Sequence, residues 1–175
     1  MAKKNRSKSP MDAALDYLSA KARTVREMEN KLDSLSYGEY EVEQVIVRLK
    51  ELNYLNDHKY ASDFVESRLR TKPVSRKKLR EQLYLHFLPK DAIVEALEQV
   101  DDATELQNAR GAAEKLMPRF SQLETEEAKR RMAQRLAARG FGYETVKPVI
   151  EHLYGDAEGT EAAFLEGEAQ SDDEA

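Results

Sequence analysis

Residues 53–80 read NYLNDHKYASDFVESRLRTKPVSRKKLR. The stretch opens on a polar break, Asn53-Tyr54-Leu55-Asn56-Asp57, with Asp57 expected to cap the helix after it. Tyr60, Ala61, Phe64, Val65 and Arg68 then fall at helical spacing, which predicts an amphipathic helix to about Leu69. Lys72-Pro73-Val74 stops it, because proline drives the residue before it out of helical geometry. Ser75 is placed to cap a second helix with Leu79, Leu83 and Phe87 inward. Between Ser67 and Arg80 there is no acidic residue, while Arg68, Arg70, Lys72, Arg76, Lys77, Lys78 and Arg80 are basic.

The same pattern recurs on both sides. With Leu32, Leu83 and Leu136 set at zero, Met28, Leu79 and Met132 stand at −4. Tyr37, Leu88 and Phe141 stand at +5, and Val42, Ile93 and Val146 at +10. Ile46, Leu97 and Ile150 stand at +14, then Leu49, Val100 and Leu153 at +17. Every one of these positions is apolar in a chain that is 41% hydrophobic, so chance does not explain them. Three helices per period predict an all-α chain of three tandem three-helix repeats, forming an elongated, curved helical array in which each repeat packs on its neighbours.

Repeat 1 covers residues 11–55, repeat 2 covers 56–102 and repeat 3 covers 103–154. In the first, Thr24 and Glu27 form a capping-box pattern ahead of a helix over 25–35. In the third, Arg139-Gly140-Phe141-Gly142 reads as a helix stop and turn, since glycine takes left-handed geometry cheaply. Residues 1–10 read as a disordered basic arm and 155–175 as a disordered acidic tail. The tail carries eight acidic and no basic residues, so it accounts for the net charge of −5, and the overall acidity does not argue against an anionic partner.

Composition narrows the function further. The absence of cysteine removes disulfides and thiolate metal sites. No apolar run approaches the ~20 residues of a membrane span, and the basic N-terminus leads into no hydrophobic signal region. A cytoplasmic protein without membrane contact is expected. His58, His86 and His152 stand apart, with no metal-ligand spacing around them. Gly140-Phe141-Gly142 lacks both a preceding strand and the third glycine of a dinucleotide fingerprint, because Thr145 stands there. No catalytic, metal or cofactor residue is expected, and the chain does not read as an enzyme.

The basic clusters remain. Arg68, Arg70, Lys72, Arg76, Lys77 and Arg80 form the first; Lys129, Arg130 and Arg135 lead the second, on the equivalent helix of repeat 3. Most charge runs are merely solvated helix faces. Two clusters at equivalent places in a repeat favour a surface for phosphates or for an acidic protein.

Residues 53–65, NYLNDHKYASDFV, resemble the signature of the bacterial regulatory family RecX, which typically reads Gly-Tyr-Leu-Asp-Asp-x-Arg-Tyr-Ala-x-x-Phe-Val. Asn53, Asn56 and Lys59 depart from it while keeping turn character and charge. Arg23-Thr24-Val25-Arg26-Glu27-Met28 and Arg139-Gly140-Phe141 are also similar to family patterns, whereas Val74 and Phe87 stand where the family often has glycine. The repeat predicts a monomer, and the resemblance implies a regulator of the RecA recombinase. It would sit in the groove of the RecA–DNA filament, meet DNA mainly through the filament, and restrain ATP hydrolysis, strand exchange and co-protease activity in DNA repair and the SOS response. The alternative is a DNA-binding protein or transcription regulator of helix-turn-helix type.

Overall fold

The structure, a computed structural model, describes residues 8–171. Among these there are ten helices and no strand. They are α1 (Pro10–Ala20), α2 (Val25–Ser34), α3 (Glu39–Glu51), α4 (Asp57–Thr71) and α5 (Arg76–Leu85), then α6 (Lys90–Leu97), α7 (Asp102–Phe120), α8 (Thr125–Ala137), α9 (Tyr143–Tyr154) and α10 (Thr160–Ser171).

Local chemistry starts most of them where the sequence indicates. Ser9 caps α1 by accepting the Asp12 N–H. Thr24 and Glu27 close a full capping box on α2. Ser75, fully buried, accepts the Lys78 N–H at 3.0 Å and so caps α5. At α4 the cap is Asn56, whose side chain accepts the Lys59 N–H at 2.9 Å. Asp57 was expected in that role. Its carboxylate instead accepts the N–H of Val25 at 2.9 Å, satisfying a free donor at the start of α2. Burial pushes the Asp57 carboxyl above its usual range, although the Val25 hydrogen bond pulls it down.

The repeat register holds in the packing. Leu32, Leu83 and Leu136 are all fully buried, as are Met28, Leu79 and Met132. The +10 and +14 residues are buried in all three repeats. Only Tyr37 and Leu153 of the aligned set are partly exposed. Phe87 was expected inward and is exposed, as are Leu35 and Leu52 at helix ends. For Phe87 the reason lies in how the second helices stop. Ser36, Phe87 and Gly140, each four residues past the zero leucine, all take left-handed backbone geometry, with φ of 61°, 57° and 84°. A residue at that stop turns its side chain off the helix face, so Phe87 leaves the inward stripe that Leu79 and Leu83 begin.

Two compact units partition the chain. One comprises Met1–Asp63 with Leu83–Glu95, and the other Phe64–Gln82 with Ala96–Ala175. The core of the first gathers Ala14, Met28, Leu32, Ile46, Leu49 and Leu55. The core of the second gathers Ala109, Ala113, Met132, Leu136, Phe141 and Ile150, and it takes in Phe164.

Phe164 belongs to the segment expected to be disordered. Residues 160–171 form α10, which packs on α8. The sequence signal was masked by acidic residues, but Ala163 and Phe164 are buried. Gly167 brings the two backbones together: a Cβ there would lie 2.4 Å from the Gln134 carbonyl oxygen. Residues 172–175 of the expected tail and 1–7 of the expected basic arm lie outside the described residues.

Gly140 is the other position where only glycine fits. Its added Cβ would stand 2.5 Å from Ser75 Oγ and 3.2 Å from Lys78 Cβ, on top of a positive φ. Gly155 has a comparable φ of 94° with nothing within 4 Å. Gly155→Ala should therefore cost only the left-handed strain, about 1–2 kcal/mol. Gly140→Ala should cost about 1–3 kcal/mol more, from overpacking against α5. Urea unfolding of the two variants measures the difference.

Candidate functional site

The acid-free stretch from Ser67 to Arg80 lies in the second compact unit, which also holds α7–α10. Its cations fall into two kinds. Arg70, Lys72, Lys77 and Arg80 are exposed, and Arg70, Lys77 and Arg80 make no side-chain ion pair among the described residues. Arg68 is half-buried, with its guanidinium 5.2 Å from the centre of the Phe64 ring. Arg76 is anchored: its guanidinium donates to the Val100 carbonyl at 3.0 Å, and its backbone N–H donates to Glu105 at 2.8 Å. Burial raises the Glu105 carboxyl above its usual range, although the Arg76 contacts pull the other way. Arg76 thus ties the start of α5 to the residues that open α7.

The second cluster divides more sharply. Arg130 and Arg135 are exposed on α8, as expected. Lys129 is not. Its side chain is 3% exposed and its ammonium donates to Asp156 at 2.7 Å and Glu126 at 2.8 Å. Those hydrogen bonds hold the ammonium above its usual range and hold the Asp156 carboxyl below its own. Lys129 therefore braces the turn into α10 and does not face solvent, contrary to the reading of it as a surface cation. Arg131 pairs with Glu127 at 2.6 Å.

Packing also gathers cations that the sequence keeps apart. Lys72, Lys78, Arg119, Arg135 and Arg139 line one cavity of about 270 Å³, together with Gln82, Val74, Leu116 and Ala138. Arg119 escaped the sequence reading because it is a single basic residue at the end of α7, outside any run. Arg139 is brought in by the Gly140 turn, where the Arg139 carbonyl accepts the Ser75 N–H at 3.1 Å.

The histidines carry no shared site. His58 pairs with Glu95 at 2.6 Å and Asp91 at 3.4 Å, in the open, which raises its pKa. His86 bonds Glu27 at 3.0 Å and the Tyr60 hydroxyl at 3.2 Å. Among the described residues no group of three or more His, Asp or Glu side chains is placed to hold a metal ion.

An all-α chain in tandem three-helix units, with cations clustered in the second compact unit, defines the class to which this protein belongs. Models of the first, second and third three-helix domains of RecX match residues 11–49, 56–97 and 103–150. The chain belongs to the RecX family. It is 31% identical to the regulatory protein RecX of Prosthecochloris aestuarii, over 84% of this chain and 95% of that one. Identity to the Chlorobaculum tepidum protein is 33%, over 85% and 90%. Identity to the Bacillus subtilis protein is 28% over 90% of this chain, which spans only 60% of that longer relative. The crystal structure of RecX from Lactobacillus salivarius matches with a TM-score of 0.70 at 29% identity, covering 82% of this chain and 94% of the other. None of the matched domains includes α10, which begins ten residues past the last of them.

The Lys129–Asp156 pair should hold α10 in place. Asp156→Asn should accelerate amide exchange across residues 160–171. The carboxyl's folded pKa is lowered, so its contribution is complete above the ordinary aspartate value near pH ~4 and is lost as pH falls through the lower folded value. The gap between wild type and variant should close over that range in a hydrogen-exchange series.

Proposed function

We propose that this protein is a regulator that binds the RecA–DNA filament and restrains RecA's ATP hydrolysis, strand exchange and co-protease activity during DNA repair and the SOS response. It acts as a cytoplasmic monomer without catalysis of its own, and it reaches DNA chiefly through the filament. Family membership supports the regulatory role, since the relatives carry the name regulatory protein RecX. The observation that carries the filament reading is the acid-free segment 68–80, with Arg70, Lys72, Lys77 and Arg80 exposed. A filament on DNA offers phosphates and carboxylates in a regular array, and an array of exposed cations suits either.

The helix-turn-helix alternative makes a different demand. It requires a preferred duplex sequence, whereas a filament binder needs none.

The test is a salt titration of binding to RecA filaments, bare single strands and bare duplex, using wild type and the triple variant Arg70→Ala/Lys77→Ala/Arg80→Ala. The variant should keep its helicity and lose filament affinity. Where these cations meet phosphate, each lost contact flattens the log affinity against log salt slope by roughly 0.7–0.9. Equal filament affinity for both proteins would remove these residues from the interface. Tight, sequence-selective binding to bare duplex would transfer the assignment to the helix-turn-helix class.

A further inference from the structure

The cavity lined by Lys72, Lys78, Arg119, Arg135 and Arg139 gathers five cations and no carboxylate around about 270 Å³. Among the described residues only Lys78 of the five is in an ion pair, with Glu81 at 3.4 Å. Arg119 and Arg135 make none there, and the Arg139 guanidinium has only a long 3.4 Å contact to the Ala112 carbonyl. Burial lowers the Arg139 pKa, and the charges of Arg119 and Arg135 lower it further. Like charges therefore crowd a half-buried guanidinium that no acidic group compensates.

Three further features give this place the character of a binding seat. Its apolar lining includes Val74 and Leu116, each 3% exposed, which lowers the local dielectric and strengthens any charge met there. Gln82 also lines it, with its side-chain oxygen buried and unpartnered. A half-turn of that amide puts its NH2 in the same place, adding a donor without moving the backbone. The backbone of Arg139 is held, because its carbonyl accepts the Ser75 N–H and Gly140 lies against Lys78.

We propose that this cavity is a phosphate-binding site, with Arg119, Arg135 and Arg139 as its guanidinium donors and Lys72 and Lys78 as flanking ammonium groups. Planar guanidinium groups match tetrahedral oxyanions with paired N–H donors, and three of them exceed what one carboxylate would satisfy. The ligand is a phosphate-bearing anion, either a nucleic-acid backbone or a free polyphosphate. The site stands independently of the filament reading, because its test involves no RecA.

The experiment titrates pyrophosphate into the whole protein by calorimetry, at ionic strength held constant with chloride. Wild type is compared with Arg119→Gln/Arg135→Gln and with Lys147→Gln, an exposed α9 lysine outside the cavity and outside both basic clusters. One pyrophosphate per chain should bind wild type and Lys147→Gln alike. The double variant should bind at least about tenfold more weakly, as expected for loss of charge-assisted hydrogen bonds. Thermal unfolding without ligand checks that the variants remain folded; the two exposed side chains should be removable without loss of structure. A short single-stranded oligonucleotide that displaces pyrophosphate competitively identifies the backbone as the source. A nucleoside triphosphate that binds while the oligonucleotide does not displace it identifies a free polyphosphate. No saturable binding, or equal weakening in Lys147→Gln and the double variant, overturns the proposal.

Discussion

Gly140 and Ser75 approach so closely that no side chain fits between them. The contact is small, but much of the second compact unit depends on it. Ser75 spends its side chain on capping α5 and its own N–H on the Arg139 carbonyl. One buried serine therefore satisfies a free donor at the start of a helix and anchors the turn between α8 and α9. A buried hydroxyl or amide left unpaired costs about 1–3 kcal/mol, so both bonds are constraints on where these segments lie. The left-handed turn at Gly140 is shared with Ser36 and Phe87, yet only here is the residue a glycine. Backbone geometry alone does not demand it, as Ser36 and Phe87 show; the close approach does.

The electrostatic arrangement is a consequence of the packing. Basic residues that look alike in sequence have three separate fates. Arg76 and Lys129 are held by carbonyls or carboxylates and act as struts. Arg70, Lys77 and Arg80 remain in solvent, free to meet a partner. Arg119, Arg135 and Arg139 are drawn together around a partly apolar cavity, where their mutual repulsion persists. Exposed charge pairs contribute little to stability, whereas charges crowded without compensation carry a cost that an anion would relieve. The exposed cations of residues 68–80 and the cations around the cavity are thus differently placed, with Lys72 common to both.

Much of the fold was legible in the sequence because it is written three times. One apolar residue in a helix says little, but Leu32, Leu83 and Leu136 with their matching partners set a register that packing has to honour. Helix starts were legible where a single residue does the capping, as at Thr24 and Ser75. Asp57 was misread because its partner, the Val25 N–H, lies far away in sequence. α10 was missed because its two buried apolar residues and one contact glycine are set among acidic ones, and neither propensity nor pattern reveals a backbone-to-backbone approach. The cationic site was legible only as runs. Burial of Lys129 and recruitment of Arg119 are tertiary events, and no local signal announces them.

Regulation of RecA is the central claim, and RecA's own ATP hydrolysis tests it most directly. The measurement is the steady-state rate of hydrolysis by RecA on single-stranded DNA as this protein is added at physiological salt. A rate that falls saturably as the protein is added is expected. A rate unchanged at concentrations where the protein is folded and in excess over RecA would contradict it.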